Sequence, residues 1–454
     1  MASNEGWKKL MKILHIAVHM GAGAGKAISG LALSDKVNEH NIILLDEPEK
    51  HDHIKRCEQN GISVKICPTA EEERKEASKA DVIVVSWWHH PLTYRTLMNI
   101  ADIPSRLVLW CHVNGLYYPE LNPEFVSCFD ACMFTSKRSF ENERWSKKEK
   151  NAIYEKAALV YGMGDFQPEK FPQKNDYQVK REKMRVGYVG SLDYAKIHPD
   201  FTGWIKAAIE KNKNVCFELA GDVTSGLRHD VKEQGLSDYM NFLGFRENVE
   251  ELLTQWDAFI YLLNPSNFAT TENALLEAMA CGLPVVASDG IVERSIIEDG
   301  KDGILAGNRG AFAEYLDRLS QSHELRETLG KEARASMLRK YDVWENILRF
   351  DSVVRNTASG YKKLHDFKKV LGDEPFEWFL SGCCAEDAKK IGYLSAVDQS
   401  SANLEEVRQC LASLEGIFKG KAKASVSQYN EYFPDDRRLK NLTSIIKSNQ
   451  EISI

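Results

Sequence analysis

The sequence predicts an α/β protein of two doubly wound units followed by a mainly helical stretch. Three observations predict it. The chain has 454 residues, and a single core rarely grows past roughly 250 to 300 residues, so two or more domains are expected. Short apolar runs recur with helical patterns between several of them, the alternation that marks parallel sheet with crossover helices. A polar segment, residues 165–183, interrupts that alternation and carries Pro168 and Pro172.

The first unit opens on Met11 to Val18 (MKILHIAV), an apolar run read as a buried strand. Glycines stand at 21, 23 and 25, and a helical stretch follows to about Glu39. Further strands are read at Ile42 to Leu45, Ile62 to Ile66, Val82 to Val85 and Leu107 to Trp110, with a helical pattern from Glu71 to Ala80. Residues 1–170 are assigned to this unit, and 171–183 to a linker. The second unit, 184–344, begins with MRVGYVGSL. Its strands are read at Arg185 to Val189, Val215 to Ala220, Met240 to Gly244, Ala258 to Leu263 and Val285 to Ala287. Helices run from Arg309 to about Val354, with 345–358 returning towards the first unit. Beyond lie helical patches (Leu364 to Leu371, Leu404 to Ile417) and an aromatic-basic stretch, Tyr429 to Arg438. Residues 359–454 are read as a helical extension to which no chemistry is assigned.

Composition narrows the function classes. The formal net charge is -7, from 59 basic and 66 acidic residues, which argues against a broad electrostatic grip on nucleic acid. The ten cysteines form no CxxC pair, so metal-ligand spacing is missing. Free thiols in a reducing compartment are expected instead. No run of about 18 apolar residues predicts a spanning helix, and MASNEGWKKL lacks the apolar core of a signal peptide. The expected location is the cytoplasm. Peripheral contact with the inner face of a membrane, or with a protein partner, through the extension stays open.

Met20 to Ala27 reads MGAGAGKA. A Walker loop, G-x-x-x-x-G-K-[ST], fails at Met20 and Ala27, and the dinucleotide fingerprint fails at its third glycine. What survives is a glycine turn before a helix. Either Gly21 and Gly23 let the backbone approach an anionic ligand, or the glycines are there for sterics alone.

The stretch Asn264 to Glu293 reads NPSNFATTENALLEAMACGLPVVASDGIVE. Strand, loop, helix, Gly-Leu-Pro break, buried strand and glycine turn follow one another. They set Glu277 and two backbone-rich turns at the carboxyl ends of parallel strands, where open α/β sheets bind nucleotides. The string resembles the donor site of the retaining GT-B glycosyltransferases of family 4, in which PS…E-x7-E-A-M-A-x-G-x-P-V-V-A-S recurs around the nucleotide sugar. The resemblance spans Met11 to Val354 and is closest from Val186 to Tyr341. Ala220-Gly221-Asp222 and Phe242-Leu243-Gly244-Phe245 match stretches that shape the family's base pocket.

The resemblance implies two Rossmann-like domains facing a cleft, with the donor held by the C-terminal one. It implies that Lys196, in VGYVGSLDYAKIH, meets the diphosphate. Ser191, after Gly190, stands where the family has a second cation, arginine; a hydroxyl supplies no charge. Glu277 matches the ribose-binding glutamate. The glutamate eight residues earlier is replaced by Ala269. Glu272 either substitutes for it or serves as an acid favoured at a helix N-terminus. Gly290, Ile291 and Glu293 match the turn that meets phosphates and sugar. In the N-terminal half, His112 ends a strand near the place of the transferred sugar, with His89 and His90 behind it. Trp87, Trp88, Trp110, Tyr117 and Tyr118 are read as core, with a sugar-stacking wall as the alternative.

The function so implied is a retaining hexosyltransferase using a nucleotide diphosphate sugar, UDP- or GDP-linked. Its acceptor is a glycan, a lipid-linked or another hydroxyl, as in polysaccharide biosynthesis, and no metal or cofactor is required. Three alternatives stay open. One is another reaction on this fold, sugar-nucleotide epimerisation or phosphorolysis. The second is a degraded protein that binds nucleotide or glycan without turnover. The third is an interaction module in the extension.

Overall fold

The structure is a computed structural model and describes residues 10–178, 181–246, 248–397, 404–414, 417 and 424–451. The chain divides into two compact units: Met1–Asp165 with Asn346–Ile454, and Phe166–Glu345.

The first unit is built on a seven-stranded parallel sheet. Its strands are β1 (Lys12–Ala17), β2 (Glu39–Leu44), β3 (Ser63–Ile66), β4 (Val82–Trp87), β5 (Leu107–Cys111), β6 (Ala131–Phe134) and β7 (Ala157–Leu159). The order is β3-β2-β1-β4-β5-β6-β7, so the winding reverses between β1 and β4. Every residue of β4 and β5 is buried, as expected where helices cover both faces of a parallel sheet. The first helix, Ala22–Ser34, ends five residues before the expected Glu39. Asp35 stops it: its carboxylate accepts the Val37 amide at 2.9 Å and the Asn38 amide at 3.3 Å, an Asx turn that redirects the chain into β2. Gly23 and Gly25 lie inside this helix rather than in a loop before it. Gly25 is needed for space, since a Cβ there would stand 2.0 Å from the Met20 carbonyl oxygen.

The extension belongs to this unit's core. Helices Phe367–Leu371, Pro375–Leu380, Ala385–Ala396, Leu404–Ser413, Val426–Tyr432 and Arg437–Glu451 bury Phe376, Phe379, Ile391, Leu394, Tyr429 and Leu442 in the same cluster as the strands of the sheet. His89 is the polar rivet. It holds a left-handed backbone (φ 62°), rare for a residue with a Cβ. Its Nδ1 lies 2.5 Å from the Tyr94 hydroxyl and its Nε2 3.1 Å from the Phe379 carbonyl. Burial pulls its pKa down to about 3, so the ring is neutral. Gly382 packs on the ring: a Cβ would lie 2.4 Å from Nε2. Gly382→Ala is therefore expected to destabilise the whole first unit by about 1–3 kcal/mol through overpacking. One lowered melting transition for that unit, rather than a separate early melt of the extension, is the result to look for in calorimetry.

The second unit is built on six parallel strands: β8 (Met184–Val189), β9 (Val215–Ala220), β10 (Met240–Gly244), β11 (Ala258–Tyr261), β12 (Val285–Ser288) and β13 (Ile304–Ala306). The order β10-β9-β8-β11-β12-β13 reverses between β8 and β11. Helices Arg309–Gln321 and His323–Lys340 complete it, and Val343–Ser359 crosses the division between the units. The segment expected as a linker, 171–183, is packed on this unit in its described part. Lys174 is fully buried, with its ammonium 2.5 Å from Asp176 Oδ1 and 3.2 Å from the Thr254 carbonyl. The Tyr177 hydroxyl donates to the Gly282 carbonyl at 2.6 Å. Polar residues and prolines read as linker by composition, but here partners within the unit satisfy them. Among the described residues no helix is long and apolar enough to cross a membrane.

Candidate functional site

The carboxyl ends of β8, β11 and β12 gather several of the residues singled out in the sequence. The loop after β8 starts with Gly190 at φ 148°. It is clamped to the loop after β11: the Asn264 amide donates to the Lys196 carbonyl at 2.8 Å, and the Asn264 side chain to the Tyr194 carbonyl at 3.0 Å. The clamp fixes Lys196 at the point where the sheet order reverses, the usual ligand crevice of such sheets.

Lys196 Nζ lies 3.0 Å from Glu272 Oε2 and 5.8 Å from the centre of the Tyr261 ring. The Tyr261 hydroxyl donates to the same carboxylate. Glu272 is buried and stands at the N-cap position of helix Asn273–Ala280, yet its side chain caps nothing. Its carboxylate turns to Lys196 instead. Glu293, also buried, accepts a hydrogen bond from Ser288 Oγ at 2.7 Å. Ser288 Oγ in turn accepts the Leu263 amide at 3.0 Å, which ties β12 to the end of β11. Burial pushes the Glu293 pKa up to about 7, partly offset by the Ser288 hydrogen bond and reinforced by the charges of Glu272 and Asp289.

Gly290 and Ile291 form the turn after β12, and the Glu293 carboxylate lies against it. A Cβ on Gly290 would stand 2.2 Å from Glu293 Oε2. Asp289 is engaged by Arg294 at 2.5 and 2.7 Å. Glu277 is half-buried on helix Asn273–Ala280. Ser191 is exposed. His198 caps a turn, its Nδ1 accepting the Asp200 amide at 3.0 Å, with its ring against Trp204.

Gly21, Gly23 and His112 belong to the first unit. Gly21 is the N-cap of helix Ala22–Ser34 and makes no side-chain cap. His112 follows β5. Its Nε2 is 3.2 Å from Ser86 Oγ, its ring lies 4.7 Å from that of Trp110, and burial holds its pKa down at about 3. Trp87, Trp88 and Trp110 are buried core. His89 and His90, ranked behind His112, are buried under the extension, where Tyr429 and Tyr432 pack on their rings.

Reading the sequence missed Tyr261 and Ser288. Each lies inside an apolar strand, and nothing local marks its hydroxyl as facing a carboxylate. Among the described residues no three His, Cys, Asp or Glu side chains are grouped to hold a metal.

Residues 183–322 match the family profile of the group 1 glycosyl transferases. N-acetyl-alpha-D-glucosaminyl L-malate synthase of Bacillus anthracis is 31% identical over 127 residues, 27% of this chain and 32% of that protein. The putative glycosyltransferase EpsD of Bacillus subtilis is 25% identical over 238 residues, 49% of this chain and 60% of that protein. The matches thus span about a third to three fifths of these relatives. The fold is similar to that of HepE from Anabaena, solved with UDP and with UDP-glucose. With UDP the TM-score is 0.60 at 18% identity, covering 76% of this chain and 100% of that one. The architecture is therefore GT-B, with two Rossmann-like units and a helical C-terminal part.

Proposed function

From a chain that carries a group 1 glycosyl transferase domain on a GT-B fold, we propose a retaining glycosyltransferase. It moves a hexose from a nucleotide diphosphate sugar to a hydroxyl of a glycan or lipid-linked acceptor in the cytoplasm. UDP is the first base to test, because HepE was solved with UDP and UDP-glucose. The observation that carries the reading is the cluster at the carboxyl ends of β8, β11 and β12, inside the matched segment: Lys196 paired with Glu272 at the β8/β11 reversal, and Glu293 against the Gly290 turn that follows β12. Cleaving the sugar–phosphate bond leaves negative charge on the diphosphate. Lys196 and the amides of Gly290 and Ile291 would stabilise it there, in a pre-organised setting. Glu277 would hold the ribose hydroxyls. His112 would act beside the transferred sugar, and the helix N-terminus at Gly21 and Gly23 would approach the donor's phosphates. The leaving phosphate itself would take the acceptor proton as attack proceeds on the same face, so neither a metal nor a carboxylate nucleophile is needed.

The test is a thermal-shift panel of UDP, GDP, CDP, ADP and their sugar conjugates, since a ligand of the folded state raises Tm by mass action. One base standing out is the expected result. No shift from any of them at millimolar concentration would sink the donor site. A second reading, a protein that binds donor without turnover, draws on Ser191, Ala269 and the engagement of Lys196 by Glu272. Slow donor hydrolysis without acceptor favours the enzyme; tight binding with no hydrolysis favours the binding protein.

A further inference from the structure

The proposed donor site holds more buried acid than its cations neutralise. Glu272 is 6% exposed and Glu293 2%. Lys196 is committed to Glu272. The groups around Glu293 come from every neighbouring element: Ser288 at the end of β12, Tyr261 at the end of β11, Glu272 on the loop after it, and Asp289 and Arg294 flanking the turn. Arg294 spends its guanidinium on Asp289 and reaches Glu293 only through space. Both carboxylates are buried while the Lys196 side chain is partly exposed, so ionising both would leave one buried charge with no cation in contact, and a proton on the Glu293 carboxyl removes that cost.

Glu293 Oε2 also lies directly against the Gly290 turn. Charge there would sit beneath the amides expected to meet the donor's phosphates. We propose that Glu272 and Glu293 form an acid pair that regulates the donor site: Glu272 aims Lys196 through their ion pair, while Glu293, protonated, leaves the turn neutral enough to admit an anionic nucleotide sugar. This rests on the donor-site reading above. Glu272 is a positioning residue in this scheme. The raised pKa of Glu293, about 7, puts the change within the ordinary working range.

UDP-glucose is the probe, because its phosphodiester charges stay constant from pH 6 to 8. If it binds only the form with Glu293 protonated, wild-type affinity in calorimetry falls about tenfold over that range. Glu293→Gln, isosteric and neutral, should lose the fall, its affinity staying level from pH 6 to 8 whatever its absolute value. Glu272→Gln should move the fall to lower pH by removing the like charge. A fall retained in Glu293→Gln, or a flat wild-type profile, overturns the pair. A readout without ligand separates the two readings: the infrared band of a protonated carboxyl, present in wild type at pH 6, lost by pH 8 and missing in Glu293→Gln. If the band is missing while UDP-glucose binds, the acid pair fails and the donor site stands. If the band is present but UDP-glucose binds at neither pH, the regulation fails together with the UDP-sugar reading. Stability gives the folding control. The Glu293 pKa rises from 4.5 to about 7 on folding, so its contribution is full below 4.5 and is lost as pH climbs through 7. Wild-type Tm should fall relative to Glu293→Gln over that interval.

Discussion

Lys196→Ala is expected to lower turnover by about 10²–10³-fold, the usual loss when one pre-organised stabiliser of transition-state charge is removed. Donor affinity should change much less. In the resting site Lys196 already neutralises Glu272 at 3.0 Å, so part of what it would gain from a ground-state diphosphate is offset by the ion pair it weakens. As the sugar–phosphate bond breaks, charge accumulates on the diphosphate and the balance shifts towards it. An interaction stronger in the transition state than in the ground state appears in kcat rather than in binding. The alanine variant also strands the buried Glu272 without its cation. Lys196→Ala/Glu272→Gln separates the two effects: turnover should stay low in both variants, while the double variant recovers any stability lost by the single one. Wild-type kcat in either variant would remove Lys196 from the mechanism.

Glu277→Ala is expected to weaken donor binding by about 1–3 kcal/mol, the range for hydrogen bonds to a charged group. The position favours a clean test. Glu277 is half-buried on a helix whose apolar side, including Leu275, Leu276 and Met279, packs in the core, and alanine is a strong helix former. The loss should follow the ribose. Wild type should prefer the ribonucleotide over its deoxyribose analogue, and the variant should lose that preference. Equal affinity of variant and wild type, with an unchanged melting curve, would sink the ribose assignment.

The central strands were legible because parallel strands covered on both faces need near-continuous apolar runs, as in β4 and β5; β6, β7 and β13, of only three or four residues each, were not read. The order of elements from Asn264 to Glu293 was legible because one uninterrupted string builds loop, helix, strand and turn at the same end of one sheet. Its parts meet through short connections, so local pattern and final position coincide. The helix ending at Ser34 rather than Glu39 was not legible in apolar pattern alone, since it turns on where the Asp35 carboxylate finds its amides. The stretch 171–183 misled for a related reason: polar composition does not reveal that Lys174 and Tyr177 have partners at Asp176, Thr254 and Gly282.

The two Rossmann-like units, the strand ends proposed to hold the donor, and the departures at Ser191 and Ala269 are already written in the order of residues. Periodicity and turn residues encode these locally. It took the folded chain to show that Lys196 is held by Glu272, that Glu293 has Ser288 but, among the described residues, no ion-pair partner, and that the helices after 359 complete the core of the first unit. The Lys196–Glu272 pair and the packing of the late helices join residues tens to hundreds of positions apart. Their energies depend on burial and on what else is charged nearby, quantities that exist only once the chain has folded.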